Sequence, residues 1–169
     1  MVSKRVFQVD PDTVNKGGFL MPKSKLEVVD GLSVFLSSSY VLYLKTQNFH
    51  WNVTGPNFFS LHQLFEVHYT ELATAIDEIA ERIRGLGAFA PGSFSVFSTL
   101  SLIKEETKVP AAPLMIKQLV DDHEVLIKYG REVIEAAEDA KDPGTADLIT
   151  IRVEAHEKAG WMLRSHLEK

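Results

Sequence analysis

Residues 50–66 read HWNVTGPNFFSLHQLFE, and they contain both a helix break and several ionisable side chains among apolar ones. Proline removes a backbone hydrogen-bond donor and glycine weakens helical preference, so the Gly55-Pro56 pair interrupts the helical pattern around it. No other proline occurs between Pro22 and Pro91. The stretch therefore predicts that one long helix ends near residue 53 and another begins near residue 57.

Outward from this break, the pattern predicts four long helices and no strands. A proline- and glycine-containing segment of about 25 residues separates the second helix from the third, whereas the other two links are short. Two short links around one long crossover are typical of an all-α, ferritin-like four-helix bundle. The predicted helices span residues 24–53, 57–87, 113–140 and 142–169, with a short extra helix at 96–102 in the crossover.

Composition restricts the chemistry open to this chain. The sequence has 169 residues and no cysteine, which excludes disulfides, thiolate metal sites and thiol nucleophiles. Any metal would have to bind through nitrogen and oxygen. Because no apolar run approaches the length of a membrane span and no secretory signal is evident, we expect a cytoplasmic protein without a membrane partner.

Charge is distributed unevenly along the chain. The formal net charge is -5, which disfavours nucleic acid as a general partner. Residues 1–25, however, contain five lysine or arginine side chains against two aspartates. We predict a flexible, mildly basic tail over residues 1–23 and a single bundle domain over residues 24–169.

A set of candidate ligands lies on one face of the second helix. At about 100° per residue, His62, Glu66, Asp77 and Glu81 fall at about 0°, 40°, 60° and 100°. On the first helix, His50 shares a stripe with apolar residues. Nitrogen and oxygen donors without sulfur suit iron, manganese or zinc.

Distances along the helix axis show that one chain does not bring these groups together. Glu66 and Asp77 are separated by about 16 Å of helical rise, which one ion cannot bridge. A two-fold dimer with antiparallel copies of the second helix would combine the histidine end of one chain with the acidic end of its partner. The sequence therefore predicts two equivalent metal sites, each completed across a dimer interface.

The stretch NFHWNVTGPNFFSLHQLFE, together with AIDEIAERIRGLG, resembles the Dps family of mini-ferritins. The resemblance extends weakly over residues 24–167 and includes the D-E-x-A-E-R block and Trp51. It implies iron bound between two-fold related subunits by His50, His62, Glu66, Asp77 and Glu81. Several members carry aspartate where this chain has Glu66, whose carboxylate extends one methylene further.

The resemblance also implies an activity and an assembly. Family members are hollow dodecamers that oxidise Fe²⁺, preferentially with hydrogen peroxide, store ferric mineral and protect DNA from oxidative damage. This predicts a ferroxidase. The sequence contains no Glu-x-x-His pair, from which larger ferritins build their di-iron centres.

Other residues have two interpretations each. Trp51 is either a packing residue or a redox-active neighbour of the iron. Asp142 and Asp147, at the start of the fourth helix, either cap that helix or line an acidic iron-entry pore, as in the family. His68 lies about 240° from His62 on the helical wheel and is predicted to lie outside the metal site.

Two other functions stay open at this level. The first is a nucleoid-associated, DNA-compacting protein whose basic tails act multivalently on a mainly structural shell. The second is a ferritin-like scaffold without iron activity. We therefore expect a homo-oligomer with iron as its main metal, other divalent metals as alternatives, and DNA as an untested partner.

Overall fold

The computed structural model describes residues 23–167, which form five α-helices and no strand. The predicted all-α class is confirmed. The short crossover helix begins two residues earlier than predicted, and the other helix starts lie within two residues of their predicted positions. The helices are α1 (Lys23–Asn52), α2 (Phe58–Gly85), α3 (Phe94–Leu100), α4 (Ala112–Asp139) and α5 (Pro143–Arg164).

The predicted N-terminal tail lies outside the described residues, except that Lys23 already belongs to α1. The boundary between tail and domain stays a prediction. A long apolar window in α1 would be sufficient, by length and composition, to cross a membrane, but 61% of it is buried inside the bundle. Such burial is typical of a core helix.

The link between α1 and α2 is a tight turn that depends on Gly55. This glycine has a φ of 109°, a backbone conformation that side-chain-bearing residues rarely adopt. Its carbonyl accepts a hydrogen bond from the Phe58 amide at 3.0 Å, which closes the turn. Asn57 occupies the N-cap position of α2 as predicted, but its side chain makes no capping bond.

The four long helices form two antiparallel pairs. Helix α1 packs against α2 and α4, and α4 packs against α5. Near one end Gly31 of α1 lies against Val133, and near the other Lys45 of α1 bonds Asp122, so α1 and α4 run antiparallel. The crossover therefore returns the chain to the end of the bundle where α2 began.

Helix α3 packs on the outside of α1. The Phe97 ring stacks on Tyr40 with ring centroids 4.5 Å apart, and the Leu102 amide donates to the Ser38 hydroxyl at 3.0 Å. The bundle core contains phenylalanines and branched aliphatics from all four long helices, among them Phe35, Phe49 and Phe65. This packing holds the helix faces that carry the candidate ligands in a fixed orientation.

Candidate metal centre

His50, in the last turn of α1, and His62, in the first turns of α2, form a pair across the tight turn. Their rings are stacked, with centroids 3.8 Å apart and planes 18° apart. The Nδ1 atom of His50 lies 2.8 Å from the carbonyl oxygen of His62, and Nδ1 of His62 lies 2.9 Å from the carbonyl oxygen of His50. Each histidine thus orients the other.

These two contacts fix the tautomer of both rings. A carbonyl oxygen only accepts, so each Nδ1 must carry a proton and donate it. In the neutral imidazole, Nε2 is then left with a free lone pair on both rings. Metal-binding histidines usually make this kind of hydrogen bond from the nitrogen that does not bind the metal.

The three candidate carboxylates occupy a single surface of α2. Glu66, Asp77 and Glu81 are all exposed in the isolated chain. None of the three forms an ion pair with a residue of the described range 23–167. Their oxygens are therefore available to a cation or to a second chain.

The histidine pair and the distal acids do not meet within one chain. Over residues 23–167, no three histidine or carboxylate groups are arranged so that they could hold a metal ion. This fits the separation along α2 that the sequence predicts. The completion of the site by a second copy stays a prediction.

Exposed aromatic residues neighbour the histidine pair in the sequence. Trp51 is 61% exposed and Phe59 is 69% exposed, while the Phe58 ring stacks against His62 with centroids 5.2 Å apart. Large apolar groups in one exposed patch typically mark a surface that a partner covers. In the isolated chain Trp51 is not a core residue, and its redox role stays a prediction.

Asp142 caps α5, as one of the two interpretations predicted. Its carboxylate accepts from the Thr145 amide at 3.1 Å and from the Thr145 hydroxyl at 2.6 Å, and it pairs with Arg82. Burial raises the pKa of Asp142, but the Thr145 bonds and the Arg82 guanidinium outweigh it, so this pKa is lower than usual. Asp147 is exposed, and the pore role of both residues stays a prediction.

The sequence reasoning missed a second group of histidines inside the bundle. His68, His123 and His156 come from α2, α4 and α5, and all three are buried. Burial lowers the pKa of His68 to about 4 and that of His123 to about 3, and it also lowers the pKa of His156 far below the usual value. All three rings are therefore neutral at pH 7.

A signal for this group was present in the sequence. Each histidine lies on the buried apolar stripe of its helix: His68 between Phe65 and Leu72, and His123 between Leu119 and Leu126. A wheel of each helix would have placed them in the core. Only the tertiary packing shows that they meet.

Comparison with known proteins identifies the fold. A sequence model of the ferritin-like domain matches residues 30–169. The chain is 36% identical to DNA protection during starvation protein 2 of Bacillus anthracis, over 85% of this chain and 98% of that protein.

Solved structures agree. The Dps protein of Bacillus brevis superposes with a TM-score of 0.86 at 35% identity, covering 88% of this chain and 100% of that one. The Dps protein of Vibrio cholerae, described as a member of the ferritin-like diiron-carboxylate superfamily, superposes with a TM-score of 0.83 at 35% identity. That match covers 86% of this chain and 91% of the other.

Proposed function

Because the chain belongs to the Dps family of ferritin-like proteins, we propose that it binds Fe²⁺ at sites shared by two subunits, oxidises it and stores the ferric product. The His50–His62 pair is the observation that most supports this proposal. Two imidazoles whose Nδ1 atoms donate to backbone carbonyls present Nε2 as a metal ligand, and exposed aromatic residues neighbour them in the sequence.

Glu66, Asp77 and Glu81 supply the remaining donors. His62 and Glu66 are one helical turn apart, so one ion can contact both, whereas Asp77 and Glu81 reach it from the partner subunit. Carboxylates favour Fe³⁺ more than Fe²⁺ because they are hard anionic ligands, and the histidines retain the ferrous ion before oxidation. The described donor set therefore supports both the binding of the substrate ion and its oxidation.

We assign hydrogen peroxide as the preferred oxidant, on the basis of the family resemblance. Two Fe²⁺ ions each lose one electron, the O–O bond of one H₂O₂ molecule accepts both, and two water molecules contribute oxygen. The products are two FeO(OH) units and four protons. Because both electrons reach one peroxide, no hydroxyl radical is released, and nearby DNA is protected from it.

The shell that would hold this mineral is part of the same proposal. On the basis of the family resemblance, we propose a cytoplasmic homo-oligomer built from two-fold dimers, with a dodecamer as the complete shell. Light scattering coupled to size-exclusion chromatography measures this directly. A mass near twelve times 18.9 kDa is expected, whereas a stable monomer would contradict the shared site.

The test of the activity is anaerobic Fe²⁺ loading followed by a peroxide pulse, with ferric absorbance recorded over time. The wild type and a His50→Ala/His62→Ala double variant are compared. His166→Ala, which lies beyond the end of α5, is the matched histidine control. We expect the double variant to oxidise iron far more slowly and the control to match the wild type; equal rates in all three would refute a ferroxidase role.

DNA binding is the second candidate, and the name of the Bacillus anthracis relative refers to DNA protection. The basic segment that would contact phosphates belongs mostly to residues outside the described range. A gel-shift assay at low and at moderate salt tests it, since phosphate contacts weaken steeply with salt. No retardation at low salt would exclude this role.

A further inference from the structure

Three histidines from three helices meet in the interior of the bundle, away from the intersubunit face. The rings of His68 and His123 have centroids 6.0 Å apart, and those of His123 and His156 have centroids 5.1 Å apart. The Nδ1 atoms of His123 and His156 are 2.9 Å from each other. We call these three side chains the interior histidine cluster.

The hydrogen bonds of this cluster are incomplete. Both ring nitrogens of His68 and Nε2 of His156 are buried without a hydrogen-bond partner among the described residues. Only one proton fits between the two Nδ1 atoms. One Nδ1 therefore donates this proton, and the other accepts it with its lone pair. Polar atoms buried in this way are costly unless something binds them.

An ion pair with one buried and one exposed partner lies next to the cluster. Both terminal nitrogens of Arg152 bond the carboxylate of Glu71, which is three residues after His68 on α2. The Arg152 side chain is 5% exposed and that of Glu71 is 48% exposed, so the pair connects the interior with the surface. The Glu71 carboxylate offsets the positive charge of Arg152, which would otherwise repel a metal cation bound at the cluster.

We propose that His68, His123 and His156 form a second metal site, which takes a borderline divalent cation such as Zn²⁺ and ties α2 to α4 and α5. Neutral imidazole is an established zinc ligand, and sites between the facing helices of a bundle are a known arrangement. With metal–nitrogen bonds of about 2.0–2.1 Å, two imidazoles on one tetrahedral ion have centroids about 5 Å apart. The His123–His156 separation of 5.1 Å matches this value, and the His68–His123 separation of 6.0 Å is about 1 Å longer.

The cation takes the place of the proton between His123 and His156, and that proton moves to the Nε2 atom of the same ring, so both imidazoles stay neutral. In the present rotamers the three rings do not converge on one point, because these two histidines are bonded to each other. Two nitrogens on a tetrahedral ion lie about 3.3 Å apart, so the two Nδ1 atoms must separate by only about 0.4 Å. The His68 ring must turn one of its two unpaired nitrogens toward the same point.

This site differs from the intersubunit centre in position and in chemistry. His68 and the Glu66 carboxylate lie on different faces of α2, since His68 is buried and Glu66 is exposed. The cluster supplies nitrogen only, which favours Zn²⁺, Co²⁺ or Cu²⁺ over hard ions such as Mg²⁺. The proposal does not depend on the iron-oxidising function.

The experiment uses the full-length protein with the intersubunit histidines removed by His50→Ala/His62→Ala. Co²⁺ is titrated anaerobically, and the visible d–d bands, which are much stronger for four-coordinate than for six-coordinate Co²⁺, are recorded. Zn²⁺ content after dialysis is measured in parallel. His123→Gln is added to this background, with His166→Gln as the matched control.

In the background variant and in the His166→Gln control, we expect about one Zn²⁺ per subunit and intense Co²⁺ bands. In the His123→Gln variant, we expect neither the bound Zn²⁺ nor the intense bands. Stoichiometric binding that His123→Gln leaves unchanged, or no binding in the background variant, would overturn the proposal. If His123→Gln fails to assemble, anomalous diffraction at the zinc edge from crystals of the background variant decides. A zinc peak among the three rings supports the site, and its absence from a zinc-soaked crystal rejects it.

Discussion

At the scale of single residues, the reciprocal bonds between His50 and His62 determine which ring nitrogen each histidine presents. Each Nδ1 proton is fixed by a backbone carbonyl, at 2.8 and 2.9 Å, so each Nε2 atom is directed away as a free ligand. Partners of this kind typically change metal affinity or activity 10- to 100-fold when they are lost. The backbone carbonyl of His62 therefore supports the His50 ring, while the His62 ring is itself a proposed ligand.

His62→Gln tests the ring as a ligand, because the variant keeps the backbone carbonyl that bonds His50. Glutamine keeps a polar group at the position but has no Nε2 lone pair, so the initial rate of peroxide-driven Fe²⁺ oxidation should fall by at least about tenfold. The stopped-flow absorbance of ferric iron measures it, with Gln63→Ala on the adjacent exposed position as the control. An unchanged rate in His62→Gln would show that the imidazole is not a ligand.

The sequence was sufficient to predict the five candidate ligands but not the interior histidine cluster. The five follow a recognisable spacing along two adjacent helices, and the wheel correctly separated His68 from them. His123 and His156, by contrast, are 33 residues apart on different helices, and their contact exists only because α4 packs on α5. No local pattern contains that information.

At the scale of helices, the ends were predictable because they depend on local backbone chemistry. Gly55-Pro56 ends α1, and Asp142-Pro143 begins α5 with a capping carboxylate followed by a first-turn proline. Asn57 has the right residue type for a cap yet makes no capping bond. Residue type therefore predicts where a helix cap lies better than it predicts whether the side chain makes the capping hydrogen bond.

Asp142→Ala tests the cap of α5. Losing the capping carboxylate should lower the free energy of unfolding by about 1 kcal/mol at pH 7. The folded-state pKa of Asp142 is below its unfolded value, so the carboxylate stabilises the fold above pH 3.8 and this contribution is lost as pH falls through the folded pKa. Thermal melts between pH 7 and pH 3 measure this. The difference in melting temperature between the wild type and the variant should become smaller as the pH falls, and a difference that grows toward low pH would contradict the prediction.

Gly130→Ala tests the close approach of α4 to its neighbours. A Cβ atom at Gly130 would lie 2.7 Å from a methyl of Val153 and 3.2 Å from the Phe35 ring. The gain in helix propensity, about 1 kcal/mol, should be exceeded by an overpacking cost of about 1–3 kcal/mol. Gly85→Ala, with nothing within 4 Å of its Cβ, is the control and should be neutral or stabilising. Urea denaturation compares the two, and a stabilised Gly130→Ala would refute the tight packing.

At the scale of the whole molecule, one chain carries both halves of the proposed site, and the described residues do not bring those halves together. The histidine pair lies near one end of α2, and Asp77 and Glu81 lie about four and five helical turns beyond His62. The exposed rings of Trp51, Phe58 and Phe59 border the histidine end and offer apolar area for a partner. The central claim is therefore that two subunits exchange halves to make each iron site.

Subunit complementation measures that exchange most directly. His50→Ala/His62→Ala chains are mixed with Asp77→Ala/Glu81→Ala chains, co-assembled, and assayed for peroxide-driven Fe²⁺ oxidation. If the sites are shared, neither parent is active. Random pairing makes about half of the dimers mixed, and each mixed dimer contains one intact site out of two, so about a quarter of all sites should recover. A mixture that stays as inactive as its parents would contradict the account.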